Sequence, residues 1–187
     1  MNPPSDRRPC LTLSIQTQRL LLRPFRPEDA GEAARMCGNE RVSKSTLSLP
    51  HPYPKELAVS WIDTHAERIR SGAAYPFAIT DRQTGTLYGC IELSCDSLHR
   101  HGELGYWCGE EYWGRGYATE AASAVIAFAF DELHLHRVLG RHFASNPASG
   151  RVLEKAGMQR EGVQKGHLFR LGTFEDVVLY GVLNPAE

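Results

Sequence analysis

The stretch EYWGRGYATEA, residues 111–121, sets three aromatic side chains, two glycines and an arginine just ahead of a small, apolar run. A strand-like run ends near Cys108 and helical spacing begins near Ala118. The amides of Gly114, Arg115, Gly116, Tyr117, Ala118 and Thr119 are therefore expected to converge at the positive end of a helix dipole, which makes an anion site. Gly114 and Gly116 carry no side chain to hold a phosphate away, Arg115 can add charge, and the Thr119 hydroxyl can donate one more hydrogen bond. Diphosphate is the natural guest. An ordinary strand-to-helix turn would look the same on these residues alone. A Rossmann turn would want a third glycine where Thr119 stands, and a P-loop would want Gly-Lys-Ser/Thr, which the stretch lacks.

The elements around this turn follow from period and punctuation. TQRLLLRPF (17–25) reads as a strand, and RPEDAGEAARMCG (26–38) as a helix with proline and acids at its entry. STLSLPHPYP (45–54) holds three prolines and is expected as an exposed loop, and the loop and helix over 45–72 together are expected to wall the acceptor side of a cleft. KELAVSWIDTHAERIRSG places Leu57, Trp61, His65 and Ile69 at helical spacing and ends on Gly72, so one helix is predicted over 55–72. From residue 75 the period becomes that of strands, with YPFAITD, TGTLYGCIELSC and HGELGYWCG forming an antiparallel meander. TEAASAVIAFAFDELH is apolar on nearly every side and is expected as a buried helix. A strand over 137–144, a short helix over 146–157 and a strand over 174–182 complete the chain. The β-α-β crossover in the second half implies a mixed α/β sheet with helices on both faces.

A chain of 187 residues with 42% hydrophobic and 23% charged residues suits one domain, here 17–184, behind a loose amino-terminal arm over 1–16. The net charge of -1 leaves no electrostatic footprint for nucleic acid or an anionic membrane, and no window approaches the length of a membrane helix. The five cysteines are scattered and never spaced as CxxC, which suits reduced thiols in a cytoplasmic protein. The pairs His99/His101 and His134/His136 have no third ligand in register, so no metal is expected. Monomer and homodimer both remain open.

The turn resembles the acyl-CoA signature of the GNAT acetyltransferase superfamily, which runs Gln or Arg, two residues, Gly, one residue, Gly or Ala. Glu111 stands in the first place here. The wording of GELGYWCGEEYWGRGYATEA and NPASGRVLEKAGMQREG is similar to the branch that contains the ribosomal-protein N-terminal acetyltransferases. The likeness implies the GNAT fold, with a central sheet splayed in the middle, and acetyl-CoA as cosubstrate. It further implies that the pantetheine arm enters between strands 103–108 and 137–144, pairing with main-chain groups of Trp107 and Cys108. Asn146 matches the family asparagine that contacts this arm, although Asn followed by Pro147 is also an ordinary helix cap.

Acetyl transfer to an amine needs a base for the nitrogen and an acid for the departing thiolate. Many members of the superfamily place a tyrosine seven residues beyond the asparagine as the acid, where this chain has Leu153. The ribosomal-protein branch implies a serine three residues beyond it, which here is Ser149. A first-turn serine can equally bond locally. Glu103 is the first candidate base and Glu92 the second, each acting through water, although a strand glutamate is often only a solvated face. The branch also implicates a carboxylate on the strand after LEKAG, where this chain offers His167 and Leu168; His167 could serve as the base instead. The acceptor implied is a protein N-terminal amine. A small-molecule amine, or a non-catalytic acyl-CoA sensor, are the alternatives.

Overall fold

The computed structural model describes residues 13–47, 49–170 and 172–186. The amino-terminal arm therefore lies mostly outside the described residues. Its last two residues, Ile15–Gln16 (β1), pair antiparallel with Leu20–Arg23 (β2). A single 3-10 turn leads into Ala30–Cys37 (α1), and Glu40–Ser45 (α2) follows with the Asn39 side chain accepting from the Arg41 and Val42 amides. This second helix was hidden in the sequence by its six-residue length.

The helix expected over 55–72 is two, Lys55–Asp63 (α3) and His65–Ser71 (α4). The Thr64 hydroxyl donates to the Trp61 carbonyl at 2.7 Å at the join, a local bond that competes with the helical ladder. Gly72 closes α4 in the left-handed conformation, as its position suggested. The meander is present as Ala74–Asp81 (β3), Leu87–Asp96 (β4) and His101–Cys108 (β5). Tyr117–Asp131 (α5) crosses to Arg137–Phe143 (β6), then Pro147–Lys155 (α6) precedes Gln159–Arg170 (β7) and Thr173–Leu183 (β8). Period gives no strand signal at β7, because its residues are polar and exposed on most positions of an edge strand.

The described strands form one sheet in the order β1-β2-β3-β4-β5-β6-β8-β7, antiparallel throughout except for β5 beside β6. Alternation along the strands separates two cores. Ile91, Leu93, Leu104 and Cys108 share one cluster with the buried face of α5 and Leu153 of α6. Ala78, Cys90 and Trp107 share the other with α1, α3 and Tyr53. Helices thus cover both faces, as expected. No described helix is long and apolar enough to cross a membrane.

His65 lies in the second layer with 4% of its surface exposed, edge-on to Trp61 and Phe25, and neither ring nitrogen has a hydrogen-bond partner among the described residues. Burial pushes its pKa down to about 4, against the opposing pull of Glu92. The unfolded chain binds this proton below about pH 6.5 while the folded chain does not until about 4, so stability must fall as pH drops through that window. The loss should approach on the order of 3 kcal/mol. His65→Phe, which keeps an aromatic ring and has nothing to protonate, should flatten that slope in urea denaturation curves taken from pH 7 to 4.

Candidate active site

β5 and β6 pair from His101↔Arg137 to Leu104↔Gly140 and then part. Each keeps its outer neighbour: β5 remains paired to β4 as far as Cys108, and β6 to β8 as far as Phe143. Their inner edges beyond Leu104 and Gly140 therefore face one another without a ladder. The gap belongs to a cavity of about 450 Å³ that Glu103, Gly105, Tyr106 and Trp107 line from β5, Arg141 and His142 from β6, and Ser149 from α6. The expected splay between 103–108 and 137–144 is present.

Not every main-chain group of β5 turns to the gap. The Trp107 carbonyl oxygen sits 2.1 Å from where a Cβ on Gly89 would stand, so it is directed at β4. By the twofold alternation of a strand, Tyr106 and Cys108 turn theirs toward the split. The Cys108 carbonyl already accepts from the Trp113 indole at 2.8 Å, which fixes the start of the turn.

That turn is a short 3-10 segment, Glu110–Tyr112, followed by Gly114 and Gly116 with φ of 73° and 82°. Two left-handed residues bend the chain into the first turn of α5, a conformation that a Cβ would strain. The amides of 114–119 and the Thr119 hydroxyl have no partner among the described residues, the first contact of this helix being the Glu120 amide on the Gly116 carbonyl at 3.0 Å. Gly114, Arg115, Gly116, Tyr117, Ala118 and Thr119 thus form a cluster of free donors. Three arginines hold it in place. Arg19 donates to the Arg115 carbonyl at 2.9 Å and to Glu120 at 2.7 Å, Arg35 to Glu111, and Arg41 to Glu110. The Arg35 guanidinium holds the Glu111 carboxyl below its usual range. Glu111, in the signature's first place, is therefore a tie from the turn to α1.

Asn146 caps α6, its Oδ1 accepting from the Ser149 amide at 3.3 Å, and its Nδ2 donates to the Ser45 carbonyl at 3.0 Å. It fastens α6 to the loop on the far side of the cavity. The Ser149 hydroxyl lies 2.7 Å from the Tyr106 hydroxyl. Leu153, in the superfamily's tyrosine place, is fully buried and packs on Gly140 of β6. It is a core residue.

Glu103 pairs with Arg141 across the split, Nε to Oε1 at 2.6 Å, and its Oε2 has no partner among the described residues. Both oxygens of Glu92 are engaged, by Arg68 at 2.7 and 2.5 Å and by Ser94 at 2.9 Å. The structure brings Glu92, Glu103, Ser149 and Trp107 to one cavity; His167 is exposed on β7 and does not line it. No group of three metal-ligating side chains occurs among the described residues. Ser45 at the end of α2, with Thr46, Leu47, Leu49 and Tyr53 after it, forms a wall of the cavity, and Trp61 and Arg68 of α3 and α4 line it too. Arg170 pins that loop by donating to the carbonyls of Ser43, Thr46 and Leu49.

Tyr106, Arg68, Arg141 and Arg170 were missed in the sequence. Period-two alternation alone points Tyr106 away from Trp107, but nothing local pairs it with a serine 43 positions on. Arg141 could have been found from the register of β5 against β6, which sets it two residues along from Leu139, the partner of Glu103, and so on the same face of the sheet.

The family described as acetyltransferase (GNAT) domain matches residues 19–159, three quarters of the chain. The chain belongs to the GNAT acetyltransferases. It is 32% identical over 174 residues to the Bacillus subtilis (strain 168) protein named uncharacterized N-acetyltransferase YoaA, covering 92% of this chain and 98% of that one. It is 29% identical over 180 residues to the Escherichia coli (strain K12) [ribosomal protein uS5]-alanine N-acetyltransferase, covering 91% of each. Among solved structures, a GNAT-family acetyltransferase from Bacillus anthracis superposes with a TM-score of 0.81 at 27% identity, over 91% of this chain and 98% of that one. The fold and the ribosomal-protein likeness of the motifs agree with these relatives.

The two bonds of Asn146 separate cleanly by substitution. Asn146→Asp keeps the acceptor that caps Ser149 and loses the donor to Ser45, whereas Asn146→Ala loses both. Asn146→Ala should cost about 1–2 kcal/mol in urea denaturation and Asn146→Asp roughly half of that. Equal losses would show that the cap contributes nothing.

Proposed function

We propose that this GNAT enzyme transfers acetyl from acetyl-CoA to a protein N-terminal amine, without a covalent enzyme intermediate. The observation that carries the reading is the split between β5 and β6, set beside the free amides of 114–119. A diphosphate suits those amides, with Arg115 and Thr119 beside them. A pantetheine arm resembles a peptide and suits unpaired strand edges; the main-chain groups of Tyr106 and the Cys108 amide offer such an edge directly, with the Trp107 side chain lining the cavity and Asn146 holding the opposite bank.

The split runs through the sheet, so its two faces differ. Glu103, Arg141 and Trp107 project to the face of α1 and α3, and Tyr106 and His142 to the face of α6. A thioester in the gap meets an acid on one side and a carboxylate on the other. The amine attacks the carbonyl carbon, the C–S bond breaks with its electron pair going to sulfur, and the Ser149 hydroxyl gives the thiolate a proton. The attacking nitrogen sheds its proton to water held by Glu103, whose Oε2 is available where both oxygens of Glu92 are not. The acceptor enters past Thr46, Leu47 and Leu49, where Arg170 ties the carbonyls of Ser43, Thr46 and Leu49 together. The uS5-alanine acetyltransferase among the relatives favours a protein terminus over a small amine.

Release of CoA, followed with a panel of amino-terminal peptides and small amines, tests the acceptor. Peptides should turn over and polyamines should not; turnover with small amines alone would overturn the acceptor, and none with any amine would leave an acyl-CoA sensor. Ser149→Ala should lower kcat by roughly 10²-fold while acetyl-CoA still binds in calorimetry, because a proton donor acts mainly in the transition state.

A further inference from the structure

We propose that Tyr106 is the positioning residue of the acid step, donating its hydroxyl proton to Ser149 Oγ so that the serine's own proton turns into the split. The inference rests on Ser149 being the acid. It comes from counting protons in one small cluster.

The Tyr106 hydroxyl lies 2.7 Å from Ser149 Oγ and 3.0 Å from the Ser149 carbonyl oxygen. A phenol has one proton and a carbonyl can only accept, which leaves two arrangements. In the first, Tyr106 donates to the carbonyl and the serine donates back to the phenolic oxygen, which turns the serine proton away from the gap. In the second, Tyr106 donates to Oγ, and the serine proton is free to point at sulfur. The second is the one competent for acid catalysis. It also places a donor on the oxygen that grows negative as its proton leaves, which is where preorganised donors have most effect. The shorter of the two contacts is the one to Oγ.

The surroundings keep this donor intact. Tyr106 stands on the unpaired part of β5 with its ring packed against the core that faces α6, and burial pushes its pKa upward, so the phenol stays protonated. Ser149 is held from its other end, its amide capped by Asn146. Tyr106 and Ser149 both line the cavity, one from each side of the split. Proton balance is simple. Sulfur takes the Ser149 proton as the C–S bond breaks, the Tyr106 hydroxyl keeps its own proton and holds it against the negative Oγ, and Oγ recovers one proton from water, which receives one from the acylated amine.

Tyr106→Phe keeps the ring and deletes the hydroxyl, so the fold is expected to persist, with an unchanged calorimetric affinity for acetyl-CoA as the check. With an accepted peptide, kcat should fall by about tenfold or more while the KM for acetyl-CoA stays within about twofold. The decisive reading is a double-mutant cycle: in a Ser149→Ala background, Tyr106→Phe should change kcat by less than about twofold, since nothing is left to position. The inference is overturned if Tyr106→Phe alone leaves kcat intact, or if its loss is undiminished in the Ser149→Ala background, which would mark a packing effect. Wild-type turnover in Ser149→Ala would overturn the acid assignment and this inference together, whereas an impaired Ser149→Ala with a normal Tyr106→Phe would remove only this one.

Discussion

Two parallel strands that stop bonding after four register pairs leave main-chain donors and acceptors on facing edges, and a buried group without a partner costs about 1–3 kcal/mol. The rest of the molecule is arranged so that this gap neither closes nor frays. β4 and β8 hold the outer edges of β5 and β6 over the full length of the opening. On one face α6 leans on β6 through the fully buried Leu153. On the other, Glu103 and Arg141 span the point where the strands part.

Electrostatics at the turn serve the same end. Glu110, Glu111 and Glu120 crowd the approach to a helix amino terminus, where unpaired carboxylates would repel a diphosphate. Each is matched by an arginine from a distant segment, Arg41, Arg35 and Arg19. Exposed pairs of this kind contribute little to stability one by one. Their effect is geometric: they fix the turn against α1, α2 and the strand before them, so that its amides are preorganised and its net field favours an anion.

What could be read in the sequence follows the range of the interactions involved. The glycine turn, the buried α5 and the meander depend on neighbouring residues and on period, and all three are where the sequence put them. α2 is too short for a periodic signal, β7 is too polar, and the break at Thr64 rests on one hydroxyl inside a helical pattern. Side-chain partnerships across many residues had no local trace. Thus Leu153, in the place of the superfamily's tyrosine, is a core contact, and Glu92, the second candidate base, is held by Arg68. The hydroxyl pair of Tyr106 and Ser149 joins a strand to a helix across the split, which only the folded chain displays.

Amide chemical shifts recorded during a titration with acetyl-CoA test directly whether the split and the turn form one site. The largest changes should fall on Tyr106, Cys108 and the run from Gly114 to Thr119, with little effect along β7 at the far edge of the sheet. Changes concentrated elsewhere, or confined to the turn with Tyr106 and Cys108 unmoved, would contradict an acyl-CoA site built on the parting of β5 and β6.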